Sequence, residues 1–441
     1  MAERRKISFA GNDNLSKKSA IEALYIGIDF GTSYSKVSFS IPALTKEDVR
    51  IFSVDWAQND YFRPTVVYVK NNELYFDKQD GDYEAVKYFK YSIIERTLQN
   101  YTQNTKNSFE QICCIFFLAN IIKRCIEKAK DIYKNNNDFE GTDIYINMGV
   151  PLENFYSEKN NDTKVGIYKT LLDCAVFLAG GSKINVSMPY DSVSISSLDE
   201  ILTELRTKEP LLNYKTGVFP ELVAEILLYQ QSNNIPEGIY SIVDIGGGTV
   251  DMATFQKHRS SHNKSFDLFC HAQEVIPLGV EVRKSDNRDS EADLYFYKTT
   301  FFGAILDTRK HEDVSFKGMK DKKRSIDVFF LGGGNSDHWY HENIRKNIYQ
   351  LSGIEMPKLN LNIDINKFIE NDSTLLVKNQ RLIISQMLAH HPDDISPVKA
   401  FPDYYKAAMI KNKTKFYGSF YDDINSYSDY LADLQKEKYG D

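Results

Sequence analysis

Cysteine is scarce, positive charge is not in excess, and no long apolar run occurs in this sequence of 441 residues. The five cysteines (Cys113, Cys114, Cys125, Cys174, Cys270) include no Cys-x-x-Cys pair and fall mostly in apolar, helix-like segments. That usage suits small buried hydrophobes in a reducing compartment and not a disulfide framework. The eight histidines, His338, His341, His390 and His391 among them, have no spacing that suits a zinc site. Lys and Arg total 54 against 61 Asp and Glu, a net charge of −7, so there is no broad positive field to draw in a nucleic-acid backbone. The longest apolar run, Ile112 to Ile122, is broken by Asn120 and falls short of the ~20 residues needed to span a bilayer. It reads as a buried helix continuing through Lys130, and no membrane partner is expected. Residues 1–20 are polar with Lys and Arg clusters and no apolar segment, unlike a secretory signal, which predicts a flexible leader and a cytoplasmic protein.

What is present is a globular composition, 42% hydrophobic and 26% charged, with enough length for about three domain-sized units. The most informative stretch is Ser241-Ile-Val-Asp-Ile-Gly-Gly-Gly-Thr-Val-Asp-Met-Ala-Thr-Phe255. Ile242, Val243 and Ile245 favour a strand before the glycines; Val250, Thr254 and Phe255 favour one after them. Gly246, Gly247 and Gly248 leave room for a ligand to approach the backbone, and the free N–H groups of such a turn suit a phosphate. Asp244 and Asp251 flank the turn. A carboxylate beside bound phosphate needs a cation between them, so the pattern asks for Mg²⁺, usually held through its waters. The plain alternative is a glycine hairpin with two solvated aspartates.

A second stretch, Tyr25 to Ser40, is again strand, small-residue turn and strand, with Asp29 ending the first strand. Gly31, Thr32 and Ser33 offer N–H groups and hydroxyls to phosphate oxygens, and Lys36 adds positive charge. A third, Val328-Phe-Phe-Leu-Gly-Gly-Gly-Asn-Ser336, runs from a strand into Gly332, Gly333 and Gly334, against which a flat ring could lie.

In these three loops the chain resembles the actin-like ATPase superfamily, and within it the nucleotide-binding domain of the seventy-kilodalton heat-shock chaperones. Asp29-Phe-Gly-Thr-Ser-Tyr-Ser35 resembles that family's first phosphate loop, Asp244 to Asp251 its second, and Leu331 to Gly334 its adenosine loop. Thr142 to Pro151 and Arg381 to Ala389 are similar to its two connecting segments, and Glu221 stands at its acidic position in the helix leading to the second lobe. Tyr88-Phe-Lys-Tyr-Ser92 resembles the segment whose lysine reaches the γ-phosphate, against a reading of Lys90 as a solvated helix lysine. Departures are visible. Lys36 stands where actins carry a phosphate-contacting lysine and the chaperones usually do not. Ser336 stands where the chaperones' adenine-stacking arginine is expected, and Val280 replaces the second glycine of a Gly-Gly-Glu.

The resemblance implies an α/β, two-lobed actin-like ATPase fold: duplicated ribonuclease-H-like sheets with flanking helices and a nucleotide cleft between the lobes. The first lobe would span 21–235, with a small subdomain at about 45–107 that includes a helix around Glu84 to Leu98. The second would span 236–400, with a small subdomain at about 257–325 and a connecting helix at 377–391. Residues 182–218 look inserted, and 401–441 form an aromatic C-terminal extension, either docked on the ATPase or offered to a partner. The implied cofactors are ATP/ADP and Mg²⁺. Asp29, Asp244 and Asp251 would hold the hydrated Mg²⁺, with Asp244 accepting a proton from the attacking water, helped by Glu221 and Lys90. Gly31, Thr32, Ser33, Lys36, Gly246, Gly247, Gly248 and Thr249 would hold phosphates, and Gly332, Gly333 and Gly334 the nucleoside. The expected function is an ATP-driven, chaperone-like conformational switch without its own peptide-binding domain, working on an unknown protein client or by self-association. A filament-forming actin-like ATPase, a small-molecule kinase and a nucleotide-binding regulator without hydrolysis are the alternatives.

Overall fold

Strand-forming runs that alternate with helices in the sequence assemble into two large sheets and one small one. A computed structural model describes residues 6–9, 23–42, 48–58, 60–90, 93, 108–132, 142–150, 158–180, 192–207, 215–231, 238–259, 266–284, 290–315, 325–345, 358–361, 380–395 and 398–400. The fold is mixed α/β.

The first sheet starts with β1 (Lys6–Phe9), β2 (Ala23–Asp29), β3 (Tyr34–Pro42) and β4 (Asp48–Ser53), arranged β1-β4-β3-β2. The expectation of a flexible leader missed β1, which pairs in parallel with β4. The short β5 (Arg63–Pro64) pairs with β3. Next come β6 (Val66–Lys70), β7 (Glu73–Tyr75) and β8 (Glu84–Lys87), which form the small sheet. The stretch beginning at Glu84 is therefore not helical at its start, because Val86 pairs with Val67 across the sheet. β9 (Asp143–Val150) and β11 (Thr216–Pro220) extend the first sheet in parallel beyond β2, while β10 (Ser192–Ser194) joins the small sheet beside β7. Part of the apparent insertion at 182–218 thus completes the small sheet, and β4, expected within the small subdomain, belongs to the large one.

The second sheet contains β12 (Gly238–Ile245), β13 (Val250–Arg259), β14 (Phe266–Ile276), β15 (Ser325–Leu331) and β16 (Lys358–Asn360), in the order β16-β15-β12-β13-β14. The β13–β14 ladder continues through Arg259 and Phe266, so residues from 257 that were expected to open a small subdomain instead prolong this sheet.

Helices cover the sheets. α1 (Phe109–Ile132) and α2 (Glu158–Leu178) pack on the first, with α3 (Ile195–Thr207) beside the small one. α4 (Glu221–Gln231) follows β11 directly. α5 (Val280–Arg283), α6 (Ser290–Ser315) and α7 (His338–Arg345) belong to the second half, and α8 (Ile383–Leu388) follows a 3₁₀ turn at Gln380–Leu382. The expected connecting helix at 377–391 is shorter than its sequence suggested. Among the described residues no helix is long and apolar enough to cross a membrane. All five cysteines are free and buried, and burial raises the thiols of Cys113, Cys114, Cys125 and Cys270.

Two packing features position the site. Phe30, Phe89 and Phe117 form a buried aromatic cluster behind the end of β2, with ring centroids 5.8–6.3 Å apart, each ring contributing roughly 1.5–3 kcal/mol by burial. The second is α8. Its Ile383, Ile384, Met387 and Leu388 share a core with α4 residues Leu222, Val223 and Ile226 and with Tyr240, Ile242 and Phe255 of the second sheet. The same helix is tied to the first sheet. Ser385 Oγ lies 2.9 Å from Ser38 Oγ, Ser40 donates to the Ala389 carbonyl, and Asn147 Nδ2 donates to the Leu388 and His390 carbonyls at 2.8 Å each. Gly27 makes this approach possible: any Cβ there would strike the Ser385 carbonyl and the backbone of Leu388 and Ala389.

Candidate active site

Both glycine-rich stretches form the hairpins read from the sequence, and their registers set the chemistry. In the first, β2 and β3 are antiparallel with Asp29 opposite Lys36, whose Nζ lies 2.6 Å from Asp29 Oδ2. In the second, β12 and β13 are antiparallel with Asp244 opposite Asp251, closed by a Gly246 N–H to Thr249 carbonyl bond of 2.9 Å. Thr249 Oγ1 donates to Asp251 Oδ2 at 3.1 Å.

The two turns meet. A Cβ on Gly247 would collide with Ser33 Oγ, and one on Gly248 would lie 3.0 Å from Thr32 Oγ1, so the loops touch only because these positions are glycine. The segment after β14 wraps the second turn from behind. Gly279, Val280 and Glu281 donate their N–H groups to the Gly248, Gly246 and Gly247 carbonyls at 3.1, 3.0 and 2.9 Å. The third loop closes the other side, with Gly334 donating to the Ile245 carbonyl at 2.8 Å and Gly332 at φ +80° beside Asp244.

These loops enclose a cavity of about 570 Å³, within the range of small-ligand sites. Every candidate residue named from the sequence lines it, from Asp29, Gly31, Thr32, Ser33 and Lys36 to Gly332, Gly333 and Gly334. Their grouping inside differs from expectation in one respect. Oxygens of Glu221, Asp244 and Asp251 lie within 4.8 Å of one another, whereas Asp29 stands outside this group and is held by Lys36. Glu221, in the first turn of α4, is the third carboxylate of this group, while Asp29 lines the same cavity. Lys90 is not a solvated lysine. It is 2% exposed, its Nζ lies 2.9 Å from Glu221 Oε1, and it donates to the Phe30 carbonyl.

The electrostatics follow from this crowding. Burial first, and Glu221 second, push the Asp244 carboxyl up to about 7. Burial likewise raises Glu221 and holds Asp251 and Glu225 well above the ordinary carboxylate range, with the neighbouring carboxylates adding to it for the latter two. Burial alone would lower Lys36, but Asp29, reinforced by Asp244 and Glu221, leaves it raised. Asp244 Oδ1 is buried without a hydrogen-bond partner. An excess of buried carboxylates with an orphaned oxygen fits a hard divalent cation with oxygen ligands, so Glu221, Asp244 and Asp251 are suited to hold Mg²⁺ directly or through water.

Sequence reasoning missed three participants. Glu225 lines the same cavity one turn after Glu221 on α4; the i, i+4 spacing in Glu221-Leu-Val-Ala-Glu225 carried that signal. Arg381 lies beside Gly333, its Nη2 3.2 Å from where a Cβ would sit there, and its guanidinium stacks 3.9 Å over the Phe62 ring. It brings an arginine to the third glycine loop from an element other than that of Ser336, and no local pattern announces it. Tyr88, at φ +59°, hydrogen-bonds Glu281 and so links the segment carrying Lys90 to the one that wraps the second turn. The aromatic extension at 401–441 lies outside the described residues.

No protein-family model matches the chain, and no curated protein matches it either.

Proposed function

We propose that this protein is a Mg²⁺-dependent ATP hydrolase of the two-lobed, actin-like type, in which hydrolysis drives a chaperone-like conformational switch. The observation that carries the reading is the meeting of two antiparallel glycine hairpins, Asp29–Lys36 and Asp244–Asp251, over a buried carboxylate group, with a third glycine loop beside them. The hydroxyls of Thr32 and Ser33 and the backbone of the glycine turns suit a phosphate chain, and Gly332 to Gly334 suit a nucleoside. Glu221, Asp244 and Asp251 would hold a divalent cation, which would supply charge neutralisation on the phosphates.

Phosphoryl transfer to water asks the protein mainly for position and electrostatics. Asp244 is the proton acceptor in this reading, since it ends the strand entering the second turn with Oδ1 free of any hydrogen bond. Lys90, locked between Glu221 and the Phe30 carbonyl, presents a fixed positive charge at the same wall. The switch is supported by α4 and α8, which share a core with the second sheet while α8 is hydrogen-bonded to the first. Closure around nucleotide would act on these two helices.

Phosphate release from ATP with Mg²⁺, alongside calorimetric binding of Mg·ATP, tests the proposal. Asp244→Asn is expected to bind Mg·ATP and hydrolyse it about 10²-fold more slowly or worse. Parental turnover in that variant would remove Asp244 from the chemistry, and failure of the wild-type protein to bind ATP would remove the function.

A further inference from the structure

The charges around the cavity do not balance. Asp29 is paired with Lys36, Glu221 with Lys90, and Asp337 with Arg283 and Lys284 at 2.5 and 3.0 Å. Asp244, Asp251 and Glu225 form no ion pair among the described residues. All three are buried, at 7%, 2% and 2% exposure. Two of their oxygens, Asp244 Oδ1 and Glu225 Oε2, have no hydrogen-bond partner at all.

Glu225 is held where it is by its own helix. It stands one turn beyond Glu221, so both carboxylates share a face of α4, and Leu222, Val223, Ala224, Ile226 and Leu227 are buried around them. Nothing in the nucleotide chemistry proposed above needs a fourth carboxylate. Burying an uncompensated carboxylate costs several kcal/mol, and three in one pocket would be tolerated only with a matching positive charge or as neutral acids. Asp244 Oδ1 and Glu225 Oε2 stand buried and unpartnered in the cleft itself, open to a cation that needs no nucleotide to bring it.

We infer that Glu225 completes, with Glu221, Asp244 and Asp251, a divalent-cation site that fills in the absence of nucleotide. The inference builds on the cation site of the proposed hydrolase but requires neither ATP binding nor turnover. The ligand is a hard dication that accepts oxygen donors, Mg²⁺ or Mn²⁺, and Glu225, which lies outside the group of oxygens within 4.8 Å of one another, acts on it through a bound water.

The test uses the full-length protein, stripped with chelator and free of nucleotide, titrated with Mn²⁺ while the free-ion signal is followed by electron paramagnetic resonance. One Mn²⁺ per chain is expected, displaced by Mg²⁺, together with a rise in melting temperature on adding Mn²⁺ alone. Glu225→Gln, which keeps the shape and removes the charge, is expected to weaken Mn²⁺ binding roughly ten- to a hundred-fold with an unchanged circular dichroism spectrum. If that variant does not fold, Glu225→Asp, which keeps the charge on a shorter arm, is expected to fold and to bind measurably more weakly. Wild-type protein that takes up no Mn²⁺ without nucleotide overturns the site, and folded variants that bind as tightly as wild type overturn the part given to Glu225. The two readings separate cleanly. Mn²⁺ uptake without any ATP turnover would retain this site and reject the hydrolase, whereas ATP turnover without nucleotide-free Mn²⁺ uptake would do the reverse.

Discussion

The two glycine hairpins are built alike and charged differently. Each is an antiparallel pair whose first strand ends on an aspartate, Asp29 or Asp244, followed by a tight turn. In the first hairpin the residue directly across is Lys36, and the carboxylate is satisfied within the protein. In the second it is Asp251, and the pair faces a third carboxylate, Glu221. Like charges directly opposite in a ladder are destabilising, so the second hairpin is held in register by other means: the Gly279–Glu281 wrap, the Gly334 bond to Ile245, and Thr249 on Asp251. The comparison teaches where the cleft has polar capacity left over. The first hairpin pairs its carboxylate within the protein, while the second leaves Asp244 Oδ1 buried without a partner.

The largest effect expected from breaking this asymmetry comes from Lys36→Ala. It strands Asp29 as an unpaired carboxylate at 3% exposure, and loss of one partner of a buried pair costs on the order of 3 kcal/mol, the low end being appropriate because Lys36 keeps some solvent contact. Chemical denaturation of Lys36→Ala and of the double variant Asp29→Asn/Lys36→Ala measures it. The double variant should recover much of the loss; if it is no more stable than the single one, Asp29 is not ionised against Lys36.

How much of this was readable in advance depends on how local the cause is. The hairpins and the third loop were legible because β-branched runs, glycine turns and flanking aspartates are contiguous, and each candidate residue found there does line the cavity. What was not legible depends on distant partners. Glu84–Lys87 is a strand because β6 pairs with it, Ser192–Ser194 because β7 does, and neither pairing is announced by local pattern. Burial of Lys90 follows from Glu221, 131 residues away. Arg381 reaches Phe62 and Gly333 through the placement of the 3₁₀ turn, which only the tertiary fold sets. That Glu221 joins the clustered carboxylates and Asp29 does not was hidden for a plainer reason: each has its own lysine, Lys90 or Lys36, and only the packed distances separate them.

A second way to sharpen the comparison uses pH, because the first sheet is hydrogen-bonded to the α8 segment through Ser38, Ser40 and Asn147. His390 sits at the end of that segment with Nδ1 2.9 Å from the Met387 carbonyl and Nε2 buried without a partner. Its pKa is lowered by burial, only partly offset by the Met387 and Gln386 backbone and by Asp394. The folded state therefore takes up its proton later than the unfolded chain does. Stability from this group is complete above the unfolded value of about 6.5 and is lost as pH falls below it through the depressed folded value. The raised carboxyls of the cleft act in the opposite direction over the same range, so the His390 part is read as a difference: from pH 7.5 down to 5 the melting temperature of His390→Asn should fall less, or rise more, than that of wild type. An unchanged slope in the variant would assign the pH dependence elsewhere.

The smallest effect is also the most discriminating, since it should change sign with conditions. Asp251→Asn removes one of two like charges facing each other in the second hairpin while an amide oxygen can still accept from Thr249 Oγ1. Cross-strand charge pairs are worth about 0.2–1 kcal/mol, so in chelator, without nucleotide and at pH 8, the variant should be more stable than wild type by that order and melt ~1–3 °C higher. With Mg²⁺ at saturating concentration the order should reverse, because the lost carboxylate is one that the cation would use. The counterpart change in the first hairpin, Lys36→Ala, lowers stability in both conditions. Differential scanning fluorimetry of the two variants with and without Mg²⁺ reads all four outcomes together. If Asp251→Asn lowers the melting temperature in chelator as well, Asp251 is a structural acceptor for Thr249 and the like-charge account of the second hairpin fails.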